Sequence, residues 1–99
     1  MVMLFMDENA RKQLLEKGEV VTFRQYAHGE GRDWATDRRR GKKICDIDVK
    51  LLGEVNKIAD LSPYVDKSGF ISLWDWVVAI RKFIGKGEFK GYLFHVKKI

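Results

Sequence analysis

Residues 45–55 read Cys-Asp-Ile-Asp-Val-Lys-Leu-Leu-Gly-Glu-Val, and the alternation in this stretch decides the kind of fold the chain builds. Cys45, Ile47, Val49 and Leu51 fall on one side of an extended backbone and Asp46, Asp48 and Lys50 on the other, because successive strand side chains point to opposite faces. This is a half-buried strand with a clear inner face. The alternation slips at Leu52-Gly53, where a bulge or bend is expected before Val55 resumes the pairing.

Toward the N-terminus the chain reads strand, helix, strand. Residues 1–6 (MVMLFM) form a buried strand candidate. The run is too short for a secretory segment and has no basic residues ahead of it. Asp7 is placed to cap a helix that ends near Lys17, where Gly18 can adopt positive φ. Ala10 and Leu14, with Leu15 beside them, give that helix one narrow apolar stripe, so it should lie on a sheet. Residues 20–24 are rich in β-branched and aromatic side chains and read as a second strand.

From Gln25 to Gly41 neither periodicity is present, and Gly29, Gly31 and Gly41 punctuate the stretch. It reads as a long loop, and such loops in small domains are usually functional or mobile. On the C-terminal side, residues 60–69, with the single proline Pro63, read as another loop. Ser72 then caps a second helix with Asp75 in the capping-box position. Leu73, Trp76, Val77, Ile80, Phe83 and Ile84 form its core face, and Gly85 and Gly87 end it. Residues 91–99 make a last strand, with Phe94 and Val96 on one side and His95 and Lys97 on the other. The order β-α-β-loop-β-β-α-β lacks the βαβ repeats of a parallel sheet, so the expected fold class is α+β: a small, curved mixed barrel with two helices.

Ninety-nine residues make one domain spanning 1–99 around a single core. One cysteine, Cys45, excludes an internal disulfide and fits a reducing compartment, so the expected location is the cytoplasm. No apolar run approaches the length of a membrane span. The charge is localised. Of a net +5, the stretch from Arg24 to Lys43 holds +4, seven basic against three acidic side chains. Such a patch suggests a polyanion partner, and Tyr26, His28 and Trp34 within it could stack on bases.

The junction Gly18-Glu19-Val20-Val21-Thr22-Phe23-Arg24 resembles the ASCH domain of the PUA-like superfamily. Members carry a Gly-x-Lys-x-x-Glu-x-Arg type motif between a short helix and a strand, often with threonine in the glutamate position. The resemblance extends over nearly the whole chain: a variable loop, a long strand, Gly69-Phe70 leading into Ser72-Leu73-Trp74-Asp75-Trp76, and a closing strand Tyr92-Leu93-Phe94-His95-Val96. Arg24 stands at the motif arginine and Thr22 two before it, whereas Glu19 occupies the lysine position and the glycine is displaced by one, to Gly18. The resemblance implies a PUA-like barrel whose cleft accepts RNA or a modified nucleoside. Some members hydrolyse N4-acetylcytidine with that lysine, the threonine and a downstream glutamate, and another is described as a ribonuclease. Glu19 in place of the lysine departs from the amidohydrolase pattern.

The expected binding set is Arg24, Arg32, Trp34, Arg38, Arg39, Arg40, Lys42 and Lys43, with Glu19 and Thr22 as the catalytic candidates. Arg24 either grips a phosphate or base bidentately or pairs with Asp46 or Asp48. A carboxylate at Glu19 would orient the Arg24 guanidinium by an ion pair. The arginine run either tracks phosphates or is simply solvated, and Trp34 either caps the core or waits for a ligand. His28 is a proton-transfer candidate or an ordinary surface histidine. With no Cys or His pair at ligand spacing, no metal is expected, and Gly29-Glu30-Gly31 lacks the third glycine of a dinucleotide fingerprint, so no cofactor is expected either. The leading expectation is an RNA-binding module using a basic loop and a cleft beside Thr22-x-Arg24. The alternatives are an enzyme acting on RNA or a modified nucleoside, and an accessory module that binds a protein.

Overall fold

A computed structural model describes residues 2–99, so Met1 lies outside the described residues. Its elements are β1 (Val2–Leu4), α1 (Glu8–Lys17), β2 (Glu19–Arg24), β3 (Gly31–Thr36), β4 (Cys45–Val55), a 3₁₀ helix (Ile58–Lys67), α2 (Leu73–Ile84) and β5 (Gly91–Lys98). The five strands form one curled, mixed sheet in the order β1-β3-β4-β5-β2. Only the β1–β3 pair is parallel. The chain is an α+β half-barrel whose two free edges, β1 and β2, face each other across an open seam.

Local chemistry sets the element ends as the sequence leads one to expect. The Asp7 carboxylate accepts from the Asn9 and Ala10 amides at the start of α1. Gly18 closes the helix at φ 80°, a left-handed conformation that disfavours any residue with a Cβ. The Ser72 hydroxyl accepts from the Asp75 amide at the start of α2. The register shift in β4 falls between Leu51 and Gly53, within one continuous strand of 11 residues rather than two strands.

The sheet carries a core on each face, where the chain length leads one to expect a single one. All five strands contribute to the enclosed side, where Met3, Phe5, Val20, Ala35, Ile47, Val49, Phe94 and Val96 meet Ala10 and Leu14 of α1. On the other face Val21, Phe23, Val55 and Leu93 pack against Leu61 of the 3₁₀ helix and Trp76, Val77 and Ile80 of α2. Burying side chains of this size contributes about 1.5–3 kcal/mol each, which holds α2 on the sheet despite its short connections.

Three further expectations need correction. The stretch from Gln25 to Gly41 is not a continuous loop: Gly31–Thr36 is β3, the strand between β1 and β4. It has almost no β-branched residues, and its inner positions are Asp33 and Ala35, too polar and too small to register as an apolar period. Residues 58–67 form a 3₁₀ helix rather than a loop. Ile58, Leu61 and Tyr64 recur every third residue, the period of that helix, and all three pack on the second core. Phe83 is 61% exposed and stands outside the core, at the flank of the α2 apolar arc.

Candidate functional site

The seam between the two free edges holds a cavity of about 250 Å³. Its floor is the C-terminal half of β2, its far wall is α2 through Trp76, Ile80 and Phe83, and its near wall is the end of β1 with Asp7. The backbone of β2 is half-committed. The Lys98 amide donates to the Gly18 carbonyl, so in the observed register positions 20, 22 and 24 exchange hydrogen bonds with β5, while the Gly18 amide is used by the Leu14 carbonyl. Positions 19, 21 and 23 therefore turn their N–H and C=O groups toward the open edge. Val21 and Phe23, both lining the cavity, present those groups to it.

Arg24 spans the seam. One Nη donates to the Leu4 carbonyl at 2.5 Å, which ties the β2 edge to the β1 edge. The guanidinium lies over the Phe5 ring, 4.8 Å from its centroid. Its Nε is sealed from solvent and has no hydrogen-bond partner among the described residues. Burial lowers its pKa to about 10, from an ordinary 12.5, so the group is still charged at neutral pH but carries a desolvation cost. The alternative pairing with Asp46 or Asp48 is absent. Those carboxylates lie on the outer face of β4, and Asp46 is paired with Lys43 at 3.1 Å.

Thr22, buried at 7% exposure, lines the same cavity two residues before Arg24 on the same strand face. Arg39 joins them from the turn between β3 and β4. In that turn the Gly41 amide donates to the Arg38 carbonyl, with Arg39 and Arg40 at the tip. Arg40 has φ 57°, a left-handed conformation usually given to glycine or asparagine. The rest of the lining is mainly apolar and aromatic, including Phe5, Met6, Phe23 and Phe70, together with Ser68 and the helix-capping Asp7. The cavity thus combines two guanidinium groups, the Thr22 hydroxyl, the Asp7 carboxylate that caps α1, strand-edge groups and flat hydrophobic walls. That chemistry suits a planar polar heterocycle carrying or adjoining an anion.

The expected binding residues divide into three places. Arg24, Thr22 and Arg39 converge at the seam. Arg38, Arg40 and Lys42 are exposed on or beside the turn, and Lys43 beyond them is taken up by Asp46. Arg32 and Trp34 lie elsewhere, on the outer face of β3, directly across from Asp48 and Asp46 of β4. Trp34 is half-buried there and pairs in register with Val2. Glu19 does not reach the cavity or Arg24. It sits at the opposite end of β2 on the other strand face, where Lys67 and His95 each approach its carboxylate at 3.1 Å. Both contacts hold its pKa below the ordinary carboxylate value, Lys67 more than His95. His28 is tucked under Phe94 with Asp33 at 3.3 Å, away from the seam.

Apart from Thr22, Arg24 and Arg39, the lining residues carry no functional signal in the sequence, Met6, Phe70 and Phe83 among them. Phe83 extends the helical apolar stripe and so reads as core, and only its position at the stripe's flank marks it as different. Among the described residues no group of three or more His, Cys, Asp or Glu side chains is placed to hold a metal ion. Among the same residues no helix is long and apolar enough to cross a membrane. Comparison with known proteins returned no matching family model, no matching curated protein and no matching solved structure.

Proposed function

We propose that this domain binds RNA, seating one base in the seam cavity while the turn between β3 and β4 tracks the adjoining phosphates. This is a binding-module reading of the ASCH-like resemblance, with the cleft beside Thr22-x-Arg24 as its centre. The observation that carries it is the convergence of Thr22, Arg24 and Arg39 on one aromatic-walled cavity along a free strand edge. A base in that cavity would hydrogen-bond to the edge groups of Val21 and Phe23, and an anionic oxygen would satisfy the guanidinium groups. The left-handed Arg40 supports the same reading. Glycine would occupy that position with less strain, so a cation there points to a role beyond the fold.

The test is fluorescence anisotropy with a labelled single-stranded RNA at low salt, for wild type, Thr22→Ala and Arg39→Ala. Binding that weakens several-fold in each variant is the expected result. Binding that is absent, or unaffected by both, overturns the reading. The hydrolase alternative has a direct assay as well. Cytidine release from N4-acetylcytidine that disappears in Thr22→Ala would replace the module by an enzyme; no release is expected.

A further inference from the structure

The outer face of α2 is an uncovered apolar feature that the seam does not use. Trp76, Val77 and Ile80 point into the core, whereas Trp74 is 67% and Val78 51% exposed on the opposite side. Ile71, just ahead of the Ser72 cap, is 96% exposed. At about 100° per residue, Trp74, Asp75, Val78 and Lys82 all fall within an arc of roughly 100° on that helix. Val78 is at the middle, with an acid one turn before it and a base one turn after it. Neither Asp75 nor Lys82 has an ion-pair partner among the described residues. Arg81, by contrast, is occupied by the Gly87 carbonyl and the Phe89 ring.

We propose that two copies of this chain associate through this face, their α2 helices packed antiparallel about a two-fold axis at Val78. A two-fold contact is self-complementary: what residue i meets in the partner, the partner's copy of residue i meets in return. With Val78 on the axis, Asp75 of each copy lies against Lys82 of the other, so the contact contains two opposite-charge pairs. Trp74 lies on the other flank of Val78 and adds apolar area to the contact. The charge order along the helix therefore matches its own reverse, which is the specific requirement of an antiparallel homodimer.

The area sets the strength. Three exposed apolar side chains cover a few hundred Å² per copy, below the roughly 800 Å² per partner of a stable interface. The dimer is accordingly weak, forming at protein concentrations on the order of 100 µM. The seam cavity meets α2 on a different flank, through Trp76, Ala79, Ile80 and Phe83, so ligand binding and self-association do not compete.

Sedimentation velocity between about 10 and 500 µM tests the proposal, at low salt where the ion pairs contribute most. Wild type should shift toward dimer over this range. Asp75→Lys places two cations opposite each other at each end, and Lys82→Asp does the same with two anions, so each variant alone should associate at least about tenfold more weakly. Mixed one to one, the two variants regain opposite charges at both ends and should form a heterodimer at least as readily as wild type. Circular dichroism of each variant verifies the fold. A wild type that stays monomeric throughout, variants that associate undiminished, or a mixture that fails to recover would each overturn the proposal.

Discussion

Replacing Arg24 by methionine separates a brace from a binding group. The lowered pKa, about 10 against an ordinary 12.5, corresponds to ~3 kcal/mol set against the charged form in the folded state. Because the folded value lies below the unfolded one, that cost is present at every pH below about 10 and is relieved only above it. Opposing it are the hydrogen bond to the Leu4 carbonyl, about 1.5–3 kcal/mol for a charged donor, and the contact over Phe5, about 0.5–2 kcal/mol. The two sides nearly cancel. Methionine keeps the length and the contact with Phe5 and removes the buried charge. Arg24→Met should therefore change stability by no more than about 1.5 kcal/mol in either direction. For a domain near 100 residues that is a Tm shift below roughly 10 °C. Affinity for single-stranded RNA should meanwhile fall at least tenfold, about 1.4 kcal/mol. Urea unfolding and anisotropy titration of the same preparation measure both quantities. Destabilisation beyond ~3 kcal/mol would make Arg24 a structural tie across the seam, and unchanged affinity would remove it from the ligand site.

Trp76→Ala should cost about 3–5 kcal/mol in urea unfolding, because the side chain is buried and stacks on Phe70 at 6.5 Å; a loss under ~1 kcal/mol would contradict its place in the core. RNA affinity should fall steeply with salt, and Arg38→Ala with Arg40→Ala should flatten the slope of log affinity against log salt by up to about 2, one per lost phosphate contact. Arg40→Gly should raise stability by up to ~1 kcal/mol through relief of its left-handed backbone while weakening RNA binding, as urea unfolding and anisotropy would show. Glu19→Gln should leave RNA binding unchanged but alter the acid limb of the stability curve. The ionised Glu19 stabilises the fold above its ordinary pKa of 4.5 and loses that contribution as pH falls through its lowered folded value, so the variant's thermal stability should be less dependent on pH there.

The alternation of β4 is legible in the residues alone through Val49, although Leu51, expected on the inner face, is exposed; both helix starts and the Gly18 stop are legible as well. In each case a single residue or a period of two specifies the local geometry. β3 is hidden because its partners, not its composition, make it a strand: it is held between β1 and β4 by backbone pairing, with only Ala35 and Thr36 fully buried. The Thr22-x-Arg24 pair can be placed on one strand face from spacing alone. That the cavity beside it opens between β1 and β2 follows only from the strand order, because β1 and β2 are neighbours in the chain and edges in the sheet. Arg32 and Trp34 group with the arginine run only by proximity along the chain. The strand they lie on turns them to the outer face, opposite two aspartates.

The pairing of β2 with β5 also governs how the protein reaches this state. Glu19 lies opposite Lys97, so the contact closes a loop of nearly the whole chain, and among the described residues β2 has no other strand beside it. No local hairpin can shelter Val20, Val21 and Phe23 while the rest of the molecule assembles. Folding of this domain should be slow for its size, limited by that long-range closure rather than by helix formation. Until β5 arrives, the Val-Val-Thr-Phe run is bare backbone and apolar surface, the segment through which refolding at high concentration would go astray.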